Sequence, residues 1–333
     1  MSLQRHGFSS FFRSSSVLAL TCAFLGSTLS LAAPAGAEKR KAGPDQKLPW
    51  ATAKASAPGT VYRTFVSKIV GTKVSYHVYL PDAYEKSKAP LPVLYWLHGT
   101  EGGISGIAPL TKTFQNAMAS GRIPPMLVVF VNGLPRRLWA DSKDGASPVE
   151  TVFLSELIPQ VDQEFRTIRG RKGRILEGFS MGGYGAARIG FQHSDIFSGI
   201  SILAGGPLDL NFQGPRAQRN QALREQILRD VCSGDIKYFQ TISPWMIAAR
   251  SKLELLKNAT LIRQVVGTKD DTLDLSRKFH QRLLELKIPH QYLELPSVGH
   301  DARLLLEALG AKNSDFYRRA LGLSSASESQ SSE

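Results

Sequence analysis

Gly178-Phe179-Ser180-Met181-Gly182 is a Gly-x-Ser-x-Gly sequence and offers the chain a nucleophile. A serine hydroxyl is weakly nucleophilic at neutral pH. It needs a base within hydrogen-bond reach and a third group to orient that base. Five residues of this kind recur by chance, so the surroundings decide. Arg174-Ile175-Leu176-Glu177 reads as a strand end, and Gly183-Tyr184-Gly185-Ala186-Ala187-Arg188 as the start of a closely packed helix. A strand–turn–helix of this type holds the serine Oγ out of the sheet on a sharp turn, which small residues at 178 and 182 permit.

The partners of such a serine follow it in the chain order acid, then histidine. His6 lies in a leader-like stretch, His77 in an early strand, and His98 too early for the order. His193 ends a helix and His280 sits within one. His300, in Pro296-Ser297-Val298-Gly299-His300, follows the last apolar run and is the candidate base, with His290 as the alternative. The acid belongs on the loop after the preceding strand, where Val265-Val266-Gly267-Thr268-Lys269-Asp270-Asp271 offers two carboxylates. Asp270 is nearer the strand end; Asp271 could instead cap the helix that begins near Thr272. An oxyanion needs N–H donors. Met181 supplies one directly after the nucleophile, and Leu97-His98-Gly99-Thr100 places the Thr100 N–H as the second. Gly102-Gly103 allows close approach there, and His98 becomes a positioning residue.

Tyr95-Trp96-Leu97-His98-Gly99, Val131-Asn132-Gly133, the Gly178–Ala186 segment, His193-Ser194-Asp195-Ile196-Phe197, Gly267-Thr268-Lys269-Asp270 and Gly299-His300 together resemble the esterase D-like α/β-hydrolases. That group includes feruloyl and acetylxylan esterases, S-formylglutathione hydrolases, enterochelin esterases and mycolyltransferases. The resemblance covers roughly residues 60–310. It implies acyl-enzyme chemistry with no metal and no organic cofactor, and its Gly-x-x-Asp match favours Asp270 over Asp271. Trp139 and Asp141 fall where such proteins often carry a substrate-facing loop; a packed tryptophan and a loop aspartate are the alternative. The departure is the long polar segment 207–242.

The elements that must position these groups are legible as a pattern. Residues 62–69 and 74–80 alternate like an antiparallel hairpin around Gly71-Thr72-Lys73. Short apolar runs at Val93–Leu97, Met126–Val131, Arg174–Gly178, Gly199–Leu203, Leu261–Val266 and Gln291–Leu295 read as strands buried on both faces. Helical patterns at about 109–120, 149–165, 181–193, 273–287 and 301–309 separate them. This predicts an α/β fold with a mostly parallel sheet covered on both sides, as in an α/β-hydrolase. Segment 207–242, helical near 216–231, is a candidate cap, because connections this long are usually functional.

Composition sets the limits. With 42% hydrophobic and 21% charged residues the chain is globular. Its 29 glycines and 18 prolines follow no short period, which excludes collagen and solenoids. Residues 1–37 run from Arg5 and Arg13 through an apolar stretch, Val17–Leu31, to Ala35-Gly36-Ala37, the order of a secretory signal peptide. An uncleaved anchor is the alternative; lipidation at Cys22 and twin-arginine export are not indicated. Cleavage leaves one cysteine, Cys232, and so no internal disulfide. Residues 38–60 read as a linker, 61–322 as the esterase domain and 323–333 as a disordered tail. The net charge of +13 admits acidic partners. Its densest cluster, Arg166, Arg169, Arg171, Lys172 and Arg174, has no interleaved aromatics and reads as a solvated loop, so nucleic acid is not an expected partner. The expectation is a secreted or periplasmic serine esterase acting on a small-molecule or carbohydrate ester, acetyl or feruloyl, without stable membrane insertion after cleavage. An acyltransferase and a non-catalytic carbohydrate-binding homologue are the alternatives. The sequence leaves the oligomeric state open.

Overall fold

The computed structural model describes residues 48–324. Strands β1 (Thr60–Val66) and β2 (Lys73–Tyr79) pair antiparallel, with Thr60 opposite Tyr79. After α1 (Asp82–Lys86) come β3 (Val93–Leu97), α2 (Ile104–Ala119) and β4 (Leu127–Val131). β3 and β4 are apolar and buried at every position, which requires cover on both faces of the sheet. The next helical stretch is α3 (Val149–Val152), a π turn at Phe153–Leu157, and α4 (Ile158–Glu164). β5 (Arg174–Phe179) runs straight into α5 (Met181–Gln192), followed by β6 (Gly199–Leu203). Four helices then intervene: α6 (Pro215–Arg219), α7 (Gln221–Cys232), α8 (Ile236–Ile242) and α9 (Pro244–Lys257). The chain closes with β7 (Leu261–Gly267), α10 (Leu273–Glu285), β8 (Gln291–Leu295), α11 (Ala302–Leu309) and α12 (Ala311–Ala320).

The eight strands form one sheet in the order β1-β2-β4-β3-β5-β6-β7-β8. β2 is antiparallel to both neighbours, and the pairs from β4 to β8 are parallel. Alternate residues of each strand feed opposite faces. Val93, Tyr95 and Leu97 enter the core that holds α5, while Leu94 and Trp96 enter the core beneath α2, α11 and α12. This is the arrangement the sequence predicts, with the hairpin at the sheet edge. β5 lies near the middle, so the turn at its C-terminal end opens beside β3 and β6, where a connection reverses direction across the sheet.

Several segments differ from expectation. The described end of the 38–60 stretch is not a free linker. Trp50 is buried, its carbonyl accepts from Ser75 N–H at 2.8 Å, and Ala55 N–H donates to His77 Nε2 at 2.9 Å. Three residues of the arginine cluster are pinned, while Arg169 and Lys172 are exposed as expected. Arg174 pairs with Asp162, Arg171 donates to the carbonyls of Ser194 and Asn258, and Arg166 stacks on Tyr84. α9 and α12 lie outside the predicted helices. The signal-like stretch 1–37 falls outside the described residues, as does nearly all of the predicted tail. Among the described residues, no helix is long and apolar enough to cross a membrane.

Candidate active site

Ser180 sits between β5 and α5 with φ 59° and ψ −119°, a backbone conformation that side chains other than glycine rarely adopt. Its N–H donates to Leu203 O at 2.9 Å, and its carbonyl accepts from Tyr184 N–H at 3.0 Å. The flanking glycines are dictated by space. A Cβ on Gly178 would lie 2.1 Å from Gly182 O, and one on Gly182 would lie 1.9 Å from Leu97 O. α5 therefore starts in direct backbone contact with the end of β3.

His300 reaches the same cavity from the loop after β8. Its Nδ1 lies 2.7 Å from Asp270 Oδ2. The carboxylate can only accept, so the hydrogen resides on Nδ1 and the neutral ring presents Nε2 as an acceptor. Nε2 is buried and, among the described residues, has no hydrogen-bond partner. Burial pushes the Asp270 carboxyl up, but the hydrogen bond and charge of His300 and two bonds from Thr272, N–H and Oγ1 at 2.8 Å each, outweigh it and hold it below the usual range. Asp271 points elsewhere: it is ion-paired with Arg216 and Arg219 of α6 and is not a side-chain cap for α10. His290 bonds His280 and the Ile288 carbonyl, away from this cavity. Asp270, Asp271 and His300 bring ligand atoms within 4.8 Å of one another. A cation there would have to displace the Asp270–His300 hydrogen bond and two arginines, so these donors fit their present partners better than a metal.

Thr100 and Met181 line the cavity with Ser180. The Thr100 loop is held from behind. Its carbonyl accepts from Arg136 N–H at 2.9 Å. His98 Nδ1–H donates to Gly99 O at 2.7 Å, while Nε2 accepts from Gly133 N–H at 3.2 Å. Both nitrogens are used, and burial pushes His98 down to about 4, so it stays neutral. It is a strut for this loop, as its position suggests.

Trp139 and Asp141 stand apart from the cavity. Trp139 is fully buried, and its Nε1–H donates to His98 O at 3.1 Å. Its ring fills the space beside two glycines: a Cβ on Gly133 or Gly185 would come within 2.2 or 2.5 Å of it. Asp141 accepts from Thr151 N–H at 3.0 Å and from its hydroxyl, at the start of the α3 helical stretch. The predicted substrate-facing loop is thus a support for the Thr100 loop. Groups that line the cavity and were not singled out in sequence include Leu110, Phe212, Leu223, Ile227 and Leu275. Only the helical period of 216–231 hinted at the last wall. The cavity holds about 720 Å³, and α6 and α7 form one side of it.

A sheet of this order, with a serine on the β5–α5 turn and a histidine after the last strand, defines an α/β-hydrolase. Solved structures share the fold. A ferulic acid esterase superposes with a TM-score of 0.63 at 23% identity, over 78% of this chain and 98% of that one. An S-formylglutathione hydrolase from Agrobacterium tumefaciens gives 0.64 at 16% identity, over 81% and 99%. The Esterase family model matches residues 67–276, and the chain belongs to that family. It is 33% identical over 154 residues to an endo-1,4-beta-xylanase/feruloyl esterase of Xylanibacter ruminicola, covering 43% of this chain and 21% of the relative. It is 26% identical over 264 residues to an esterase of Mycobacterium tuberculosis, covering 73% and 56%. The chain thus spans about a fifth and about half of the length of these relatives.

Proposed function

We propose that this esterase works through an acyl-enzyme on Ser180. The observation that carries this is a half-buried histidine, His300, oriented by a buried carboxylate and presenting an unused Nε2 in the cavity that also holds Ser180. Ser180 Oγ attacks the ester carbonyl carbon as His300 Nε2 takes the hydroxyl proton. The Thr100 and Met181 amides hold the oxyanion, and Asp270 stabilises the imidazolium. The tetrahedral intermediate collapses, the C–O bond to the alcohol breaks, and His300 returns the proton to the leaving alkoxide. Water then attacks the acyl-enzyme by the same route. No metal or organic cofactor enters these steps.

The substrate we propose is an acetyl or feruloyl ester of a carbohydrate, met outside the cytoplasm. The aromatic and aliphatic lining of Phe179, Phe212, Leu223 and Leu275 suits an ester with an apolar part, and the feruloyl esterase relatives support the class. The leader-like order of residues 1–37 supports export. The test is intact-mass analysis after a fluorophosphonate, beside Ser180→Ala. A single adduct in the parent protein and none in the variant is expected, with ester turnover reduced by about 10⁴-fold or more. An adduct that survives the substitution would overturn the assignment.

A further inference from the structure

The cavity wall made by α6 and α7 carries charge that the proposed reaction does not use. Arg216, Arg219 and Arg224 all line the cavity. Arg216 Nε donates to Asp271 Oδ1 at 2.6 Å, and Arg219 donates to the other oxygen of the same carboxylate. One negative charge therefore faces two guanidiniums. Arg224 is placed by backbone alone: Nε and Nη2 donate to the carbonyls of Phe212 and Asn211 at 2.7 and 3.0 Å. Among the described residues no carboxylate pairs with it. Carbonyl partners fix a guanidinium without neutralising it. Arg303 lines the cavity too, paired with Glu307 along α11. The acidic groups of the lining are committed: Glu101 to Arg136, and Asp301 to the N-terminus of α11. The wall keeps an excess of positive charge.

Its position tells which part of a substrate would meet it. Asp271 directly follows Asp270, the residue bonded to His300, and Arg303 lies three residues beyond His300. Arg216, Arg219 and Arg303 therefore stand on the His300 side of Ser180, and Arg224 lines the same cavity from α7. In the reaction proposed above, on which this step rests, His300 protonates the departing alkoxide, so the alcohol portion of the ester must lie on that side. We infer that the alcohol portion of the substrate carries a carboxylate, held by the guanidiniums of Arg216, Arg219 and Arg224. A guanidinium fork matches a carboxylate in plane and charge. An incoming carboxylate would share the two arginines that Asp271 now occupies and would gain Arg224.

Two esters that differ only in this charge test the inference: 4-acetoxybenzoate and methyl 4-acetoxybenzoate, each rate divided by its uncatalysed hydrolysis. The readout is the ratio of their kcat/KM values. The full-length enzyme is expected to favour the anionic ester by about tenfold, the scale of one charge-assisted hydrogen bond, and to lose that preference as salt is raised. Arg224→Gln should reduce the ratio. The double variant Arg216→Gln/Arg219→Gln exposes Asp271 to the substrate and should bring the ratio below one. Asp271→Asn releases both arginines and should raise it. A purely structural role would move both esters together and leave the ratio fixed. A ratio at or below one in the unmodified enzyme, or one that all three variants leave unchanged, would overturn the inference while ester hydrolysis stands. Turnover of neither ester would remove the underlying reading, and this one with it.

Discussion

Ser180 is held where a serine is uncomfortable. Its φ of 59° carries a strain cost that the surrounding contacts must hold in place: Leu203 O on its N–H, and the Gly178–Gly182 contact across the turn. That turn places Ser180 in the same cavity as a histidine whose tautomer is fixed. Asp270 does that fixing, and because it stays below the usual carboxylate range it remains charged through mildly acidic pH. Replacing it with Asp270→Asn allows the amide to donate where it now accepts, which turns the imidazole hydrogen to Nε2. Turnover of any ester should then fall by about 10⁴-fold with KM little changed. A loss of less than about tenfold in steady-state kcat would show that Asp270 does not orient the base. The serine, the two aspartate candidates and the histidine were readable because chain order and strand ends constrain them. Asp270 was preferred to Asp271 for lying nearer the strand end, the resemblance supported that choice, and the structure bonds Asp270 to His300. For Trp139 the sequence left a substrate-facing and a packed residue as alternatives, and the structure shows the packed one. Its burial depends on the missing side chains of Gly133 and Gly185, one earlier in the same loop and the other on α5.

Among the elements, α5 and the Thr100 loop are coupled through that tryptophan. Trp139 packs against Gly185 of α5 and donates to His98 O, and His98 in turn bonds Gly99 and Gly133. A methyl at position 185 would meet the indole at 2.5 Å, a distance that forces the ring aside. Gly185→Ala should therefore cost about 1–3 kcal/mol through overpacking and lower Tm by roughly 3–10 °C. It should also reduce kcat/KM at temperatures where the protein is fully folded, because the loop bearing Thr100 shifts. Thermal scans and initial rates on one ester check this, and a parent-like Tm would show that the ring has room to move. Strands were legible down to their ends at Val93–Leu97 and Gly199–Leu203, which are buried at every position; Gln291–Leu295 also has the expected ends, but as the edge strand it is only partly buried rather than covered on both faces. α12 was not legible. Its sequence AKNSDFYRRA is mostly polar, and its place is set by Phe316 and by Tyr317, whose hydroxyl donates to Glu177 Oε1 at 2.8 Å, 140 residues away. Glu177 and Arg263 form a fully buried pair at 2.6 Å across β5 and β7, a contact that no local pattern announces.

Across the whole molecule, buried charge sets how the fold responds to acid. Glu150 at the start of the α3 stretch meets three side chains of α5 and its end: Arg188 at 2.5 Å, Gln192 at 2.9 Å and His193 at 3.1 Å. Arg188 also donates to Trp139 O, so this cluster reaches the support of the active-site loop. Burial raises the Glu150 carboxyl, but Arg188 and His193 outweigh burial and bring it down to about 2, against 4.5 for a free glutamate. A depressed acid stabilises the fold above its unfolded value, and that contribution is lost as pH falls through the folded value. For Glu150 the loss runs from about pH 4.5 to about pH 2. Glu150→Gln removes the titration and leaves Arg188 buried without its counter-ion, which costs about 3–5 kcal/mol at neutral pH. The variant should therefore melt lower than the parent at pH 7. Its Tm should then decline less steeply than the parent's between pH 4.5 and 2, so that the two curves converge in acid. Parallel curves across that window would mean that other carboxylates, not this pair, govern the acid limit of the fold.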